Sequence, residues 1–367
     1  MAGVRRSSNI EALRILAIIG VMVLHYNNPV IGGGITYAQE GSPNFYVLYV
    51  LESLFACGVD LFVLISGYFM CESRTRNLWK PIELVIQVML FREGIYCLRV
   101  LLRVVPFSLK TAITTLLPVN YFVILYCVVY LLSPYINLMV DNLSVRSFRN
   151  LMTITICIFA VYPTLVDVLG ELRGGEFIGL STVGMYGSQW GYSAVNFLLM
   201  YLIGSYMKRG APKISGWPVN KLLISLAASI TIMVIWARIN DKIGFFTERS
   251  AWEYCNPVLI FEAVVIFVLF TKIDIGVNPV INKLADGVFS VFLLHQFFIP
   301  YLQIEKYVSG SLPLMIAHMF MSVIIIYGVC SVAHLAYHAI MNPVFNVLSK
   351  NISLPVIKAE SRSGDQR

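Results

Sequence analysis

Ten apolar runs, each close to 20 residues long, divide this sequence, with short polar segments between them. A membrane-spanning helix needs about 20 consecutive apolar residues, because the hydrocarbon core of a bilayer is about 30 Å thick. The pattern therefore predicts an all-α fold, a polytopic transmembrane bundle of about ten helices. The predicted spans are residues 10–28, 46–70, 82–104, 119–140, 149–169, 191–207, 219–239, 256–271, 285–302 and 314–338.

The composition agrees with a membrane protein and excludes other classes. Charged residues make up 13% of the chain, about half their share in soluble domains. The net charge of +7 does not indicate nucleic-acid binding, because the basic residues form short clusters between apolar runs. The seven cysteines form no CxxC motif, so we expect neither a metal site nor a disulfide framework. Membrane lipids are the expected surroundings.

The distribution of basic residues predicts the orientation. The loops that lie on the same side of the membrane as the N-terminus hold most of the 27 Lys and Arg residues, beginning with Arg5 and Arg6. Positively charged loops stay in the cytoplasm, so both termini are expected there. We expect a membrane domain over 1–345 and a disordered cytoplasmic tail over 346–367, with the first span retained. The opposite loops hold only Arg103, Lys110, Arg173, Arg238, Lys242, Arg249 and Lys306.

The first span carries three ionisable residues in an otherwise apolar run, Glu11, Arg14 and His25. A charge at mid-bilayer costs on the order of 2.5–3.5 kcal/mol. Arg14 and His25 are eleven positions apart, which leaves them about 20° from perfect alignment on one helix face and about 16 Å apart along the axis. Glu11 lies one turn below Arg14 on the same face. The alignment favours a polar seam with a titratable base at its far end, over an interfacial ion pair and a helix-end histidine.

The second span ends in "GVDLFVLISGY" and is followed by two arginines. Gly58 and Asp60 permit a break if they line a cavity, and Ser66 follows them on the same span. Arg74 and Arg76 are expected at the cytoplasmic face. Guanidinium groups suit phosphate oxygens, so the pair indicates either a clamp for a phosphorylated ligand or topology anchors alone.

Other polar residues lie inside predicted spans. His295 is expected to face the same cavity as His25, or to form a hydrogen bond between helices. Arg92 and Arg99 share a face of the third span, which indicates either an acceptor site or salt bridges to Glu262 on the eighth span.

Five stretches resemble the integral-membrane acyltransferase 3 family, and the likeness covers roughly residues 8–300. "IEALRILAIIGVMVLH" is similar to the family pattern of an arginine, ten residues and a histidine, and "GVDLFVLISGY" to the second-helix signature. Two departures stand out: Glu11 replaces a common aspartate, and Asn120 stands where His or Trp is common, which leaves the acceptor open. The remaining stretches are "YFVILYCVVYLLSPYIN", "GYSAVNFLLMYLIGSYMKR" and "SVFLLHQFFI".

The resemblance implies a multi-pass enzyme of the bacterial inner membrane. It would move an acyl group, most simply acetyl, from cytoplasmic acetyl-CoA to a hydroxyl of a surface polysaccharide or a lipid-linked sugar precursor. His25 would be the catalytic base or an acylated nucleophile, and the chemistry leaves both routes open. Glu11 and Arg14 would support catalysis, either by holding the entry of the donor's pantetheine arm or by orienting the surroundings of His25. The roles implied for the rest are donor binding by Ser66, Arg74 and Arg76, and substrate contact by Asp60, Arg92, Arg99 and His295.

Two other classes of function are compatible with a polar seam. A polysaccharide or lipid-linked sugar exporter would use the seam as a translocation path, but the sequence shows no inverted repeat. A structural membrane subunit would leave the seam unexplained. The acceptor, the acyl group and the oligomeric state are not determined by the sequence.

Overall fold

The computed structural model describes residues 7–210, 212–243, 250–348 and 353–354. Arg5, Arg6, Arg249 and most of the predicted tail lie outside these residues. The helices of the first half are α1 (Ser8–Asn27), α2 (Gly34–Tyr37), α3 (Pro43–Phe55), α4 (Gly58–Met70), α5 (Trp79–Leu101), α6 (Leu109–Thr115), α7 (Tyr121–Asp141), α8 (Val145–Ile156) and α9 (Tyr162–Arg173).

The second half continues as helices, with short 3₁₀ turns at 189–191, 213–216, 250–252, 295–297 and 299–301. One turn of π-helix, Cys157–Val161, joins α8 to α9. Strands β1 (Arg76–Asn77) and β2 (Ser353–Leu354) pair antiparallel. The remaining helices are α10 (Ala194–Arg209), α11 (Val219–Ile243), α12 (Pro257–Thr271), α13 (Pro279–Asp286), α14 (Val288–Leu294), α15 (Ile304–Val308) and α16 (Leu312–Leu348).

The architecture confirms an all-α membrane bundle. Within the described ranges, seven helical segments are long and apolar enough to cross a bilayer, and some of them combine consecutive helices, such as α3 with α4 and α8 with α9. The seven segments are residues 8–27, 43–70, 121–141, 145–173, 219–243, 250–271 and 312–348. Three predicted spans fall short of that standard: α5 carries several charges, α10 has 16 residues, and the ninth run is broken into α14 and two 3₁₀ turns. Large apolar side chains are exposed on the outer helices, for example Ile224 on α11 and Ile340 on α16, each 69% exposed. Such faces suit contact with lipid.

The second predicted span is broken, as its glycine suggested. Helix α3 ends at Phe55, Ala56 and Cys57 form a turn, and α4 begins at Gly58. A Cβ on Gly58 would lie 3.2 Å from the Ala17 carbonyl oxygen of α1. The missing side chain therefore lets α4 pack tightly against the helix that carries His25.

The closest helix crossing in the core joins α4 and α10. A Cβ on Gly67 would lie 2.2 Å from the carbonyl oxygen of Tyr201, and one on Gly204 would lie 2.2 Å from that of Leu64. Only glycine fits at these two positions, because any side chain would overlap the backbone of the facing helix. This contact fixes α10 against α4, which packs on α1.

Helix α1 lies among C-terminal elements. At its start, which we call the inner face of the bundle, the Ser8 hydroxyl donates to Asn282 Oδ1 of α13 at 2.9 Å. At its other end, the outer face, the Tyr26 hydroxyl lies 2.9 Å from His318 Nδ1 of α16. The ring of Trp79, where α5 begins, lies 5.9 Å from that of Phe345 near the end of α16. The starts of α1 and α5 and the end of α16 thus share the inner face.

Candidate active site

Two imidazoles meet in the outer half of the bundle. His25 Nδ1 lies 2.5 Å from His295 Nε2, and the ring centroids are 4.7 Å apart with an angle of 26° between the planes. His295 is fully buried, whereas His25 is partly accessible. The structure therefore brings together two of the residues that the sequence singled out, one from the first span and one from the ninth.

The position of His295 depends on the end of α14. The helix gives way to a 3₁₀ turn at His295–Phe297, and the His295 ring folds back so that Nδ1 lies 2.8 Å from the carbonyl oxygen of Val291. A change from α to 3₁₀ geometry tightens the last turn of a helix. The turn therefore directs Nε2 of His295 toward α1.

The hydrogen bonds fix which nitrogen of each neutral ring carries a proton. A carbonyl oxygen only accepts, so His295 Nδ1 donates to Val291 and His295 Nε2 holds a lone pair. His25 Nδ1 must then donate to His295, which leaves the lone pair of His25 on Nε2. That lone pair accepts from the Gln296 side-chain amide at 3.0 Å. The arrangement is a base whose orientation is set by a second buried ring.

A cavity of about 670 Å³ extends from the inner face toward this pair. Its walls come from α1, α4, α5, α7, α13, α14 and α16. At the deep end, Phe292 lies three residues before His295 and its ring centroid is 6.3 Å from the His295 ring. Phe122 packs against Phe292 with centroids 4.8 Å apart. An aromatic cluster therefore separates the cavity from the two histidines.

Two predicted site residues line the cavity, Arg14 and Ser66. The Arg14 guanidinium donates to the Glu11 carboxylate at 3.1 and 3.3 Å, and its side chain remains 36% exposed. Ser66 Oγ donates to the Phe62 carbonyl at 2.8 Å. Glu11 is itself buried and holds the arginine from the side of the inner face.

The expected clamp of Arg74 and Arg76 does not face this cavity. Arg76 is 5% exposed, and its guanidinium donates to Ser133 Oγ at 2.8 Å and to the carbonyls of Thr75 and Met70 at 2.9 and 3.0 Å. Arg74 pairs with Asp141. The reason is that Met70 ends α4, and terminal carbonyls of a helix need donors. This geometry favours a structural role for Arg76.

The other predicted contacts lie apart from the histidine pair. Asp60 is buried and accepts from Asn196 Nδ2 at 3.1 Å. Arg92 donates hydrogen bonds to the carbonyls of Thr115 and Val119, and these bonds hold the loop before α7. Arg99 is exposed on α5.

The expected salt bridges from Arg92 and Arg99 to Glu262 are absent among the described contacts. The Glu262 carboxyl is fully buried, and neither oxygen has a hydrogen-bond partner among those residues.

Sequence reasoning missed most of the polar lining of the cavity. Gln87 donates to Ser290 Oγ at 2.8 Å, and Ser290 Oγ lies 2.9 Å from His334 Nδ1. A signal was present in the sequence: four polar residues follow one another at intervals of four along α16, the spacing of a single helix face. They are His334, His338, Asn342 and Asn346, and all four line the cavity.

A protein-family model described as "Acyltransferase domain" matches residues 7–335 of the chain. No curated protein and no solved structure matches it significantly. The matched range contains both histidines and all the helices that surround the cavity, apart from the last turns of α16.

Proposed function

This chain belongs to the acyltransferase 3 family, and we propose that it is an O-acetyltransferase of a bacterial inner membrane. It would move the acetyl group of cytoplasmic acetyl-CoA to a hydroxyl of a surface polysaccharide or of its lipid-linked precursor. Family membership supports a multi-pass membrane acyltransferase; the donor, the acyl group and the acceptor are our proposal. One observation carries it: a base held by a second histidine lies beyond the deep end of a cavity that begins at the inner face.

The base is Nε2 of His25. In direct transfer, this nitrogen takes the proton of the acceptor hydroxyl while the oxygen attacks the thioester carbonyl. The new C–O bond forms, the C–S bond breaks, and the imidazolium returns the proton to the leaving thiolate. In the covalent route, the same nitrogen attacks the thioester carbonyl, the C–S bond breaks and coenzyme A leaves as the thiolate. The acceptor hydroxyl then attacks the acetyl group on His25, the C–N bond breaks, and the hydroxyl proton passes to the thiolate.

His295 is a positioning residue in either route. Its hydrogen bond with His25 Nδ1 fixes the ring with the lone pair on Nε2, and it favours the positive charge that His25 gains during proton transfer. The same logic operates wherever a third group orients a catalytic imidazole. Because His295 is buried and bound to Val291, it cannot turn to meet a substrate.

Donor binding is assigned to the cavity. Arg14 and Lys80 are cations on its walls, and guanidinium and ammonium groups attract phosphate. Ser66 also lines the cavity, and its hydroxyl oxygen would accept a hydrogen bond from the donor. The two aromatic rings packed at the deep end, Phe122 and Phe292, lie at 52° to each other and would shield the thioester from water on its way to His25.

The test combines genetics with mass spectrometry. Surface glycans from cells with the gene should carry one more acetyl group per modified sugar than glycans from cells without it. His25→Ala should insert and express normally and leave the glycan unmodified. Identical glycan masses with and without the gene would overturn the assignment, and full activity of purified His25→Ala would overturn the mechanism.

A further inference from the structure

The cavity has one wall of neutral polar groups. His334, His338, Asn342 and Asn346 lie at intervals of four on α16 and line the cavity as a stripe, where Tyr337 and Phe345 of the same helix border them. Twelve residues of helix span about 18 Å. The stripe therefore runs from the inner face, where Lys80 begins the opposite wall, toward the middle of the bundle.

Hydrogen bonds order the stripe and extend it inward. His338 Nδ1 donates to Asn342 Oδ1 at 2.9 Å, because an amide oxygen only accepts. The centroids of the His334 and His338 rings are 4.3 Å apart, with an angle of 61° between the planes. His334 continues through Ser290 to Gln87. The wall thus presents ring nitrogens and amide groups in a line.

The chemistry of this wall differs from that of a phosphate site. Phosphates select fixed cations, and the charges on the cavity wall are few: Arg14, Lys80, Glu83 and Asp286, of which Lys80 and Glu83 pair at 3.3 Å. A line of neutral donors and acceptors instead matches a linear chain that carries amide groups. The pantetheine arm of coenzyme A is such a chain, and it ends in the thioester.

We propose that the α16 stripe, centred on His338 and Asn342, binds the amide-bearing arm of the acyl donor. The inference rests on the proposed function, since it assigns a subsite to that donor. With the arm along α16, the nucleotide lies at the inner face near Lys80 and the thioester points toward Phe292 and the histidine pair. The stripe sets the position of the arm and takes no part in bond making.

The experiment compares two donors, acetyl-CoA and acetyl-pantetheine, which lacks the nucleotide. The purified full chain in lipid nanodiscs is assayed as wild type, Asn342→Leu and the double variant with His338→Leu. Leucine has the same branched arrangement of side-chain heavy atoms as asparagine and no hydrogen-bonding groups. The control is Ile340→Ala, because Ile340 lies on the same helix and is 69% exposed. Asn342→Ser replaces any leucine variant that does not fold.

Removing one neutral hydrogen bond should raise KM roughly 3- to 10-fold, equally for both donors, with kcat and the acceptor KM unchanged. A rise with acetyl-CoA alone would assign the stripe to the nucleotide and overturn the proposal. Unchanged KM for both donors would overturn it as well. If wild-type protein neither binds coenzyme A nor transfers acetyl, the proposed function itself fails, whereas active wild type with indifferent variants refutes the stripe alone.

Discussion

Replacing His295 with alanine tests whether one histidine positions the other. His295 Nε2 accepts a hydrogen bond from His25 Nδ1 at 2.5 Å, which holds the His25 ring, and its own Nδ1 donates to the Val291 carbonyl. Alanine leaves His25 Nδ1 without a protein acceptor on that side. The His25 ring can then rotate, and the tautomer with its lone pair on Nδ1 becomes accessible.

The size of the effect follows from what positioning contributes. A well-placed general base accelerates a reaction about 10²–10⁴-fold, and His25→Ala should lose that amount. His295→Ala keeps the base and loses its alignment, so we expect kcat to fall about 10²-fold, or about 2.7 kcal/mol. The donor KM should change little, because His295 does not line the cavity. His295→Gln offers a side-chain carbonyl as acceptor and should recover about tenfold of the loss.

The assay measures acetyl transfer from acetyl-CoA by purified protein in nanodiscs, with size-exclusion profiles as the check on folding. His318→Ala is the matched control. His318 is also a partly buried histidine of a spanning helix, but it forms a hydrogen bond with the Tyr26 hydroxyl at 2.9 Å and lies outside the pair of His25 and His295. The His318→Ala variant should transfer acetyl at close to the wild-type rate. A His295→Ala enzyme within threefold of wild type, or a His295→Gln enzyme no better than alanine, would refute positioning by His295.

Three further predictions concern the scaffold. Gly67→Ala should destabilise the protein by about 1–3 kcal/mol, because its Cβ would meet the Tyr201 carbonyl, whereas Gly94→Ala, with open space around it, should not; thermal unfolding in detergent compares them, and equal midpoints would contradict the crossing. Arg76→Lys should lower the unfolding temperature and leave the donor KM unchanged, since it removes the hydrogen bonds to Ser133 and two carbonyls; a stable variant with weakened donor binding would restore the phosphate clamp. Reporter fusions at the C-terminus and in the 171–190 segment should give opposite signals, and equal signals would refute the ten-span topology.

The apolar pattern predicted the helices better than their ends. A glycine inside a long apolar run predicted a possible break at Gly58, and the break is present in the structure. The end of the last span is different. The sequence pattern stops at about residue 338, but α16 continues through Pro343 to Leu348. Proline usually ends a helix because it lacks an amide proton; here the packing of Phe345 on Trp79 and Tyr337 holds the last turns. The extension carries half of the polar stripe.

Site residues were predictable where the function depends on one helix. Arg14 and His25 share a face by helical periodicity alone, and Arg14 does line the cavity. The bond between His25 and His295 could not be derived from spacing, because it depends on how α14 breaks. Arg76 shows what spacing does not reveal: two arginines near a membrane face suggest a ligand clamp, but in the fold the Arg76 guanidinium donates to the Met70 carbonyl. A local motif carries no information about such distant partners.

The distance along the chain between the two histidines has a consequence for biogenesis. They are separated by 270 residues, and ribosomes add about 5–20 residues per second, so the first span waits roughly 15–55 s for its partner. During that interval Glu11, Arg14 and His25 are in the bilayer without α14 or α16 beside them. A truncated product that ends before residue 295 keeps the polar first helix and lacks both the turn that supplies His295 and α16. The hydrogen bond between His25 and His295 therefore forms only after nearly all the spanning helices have been made.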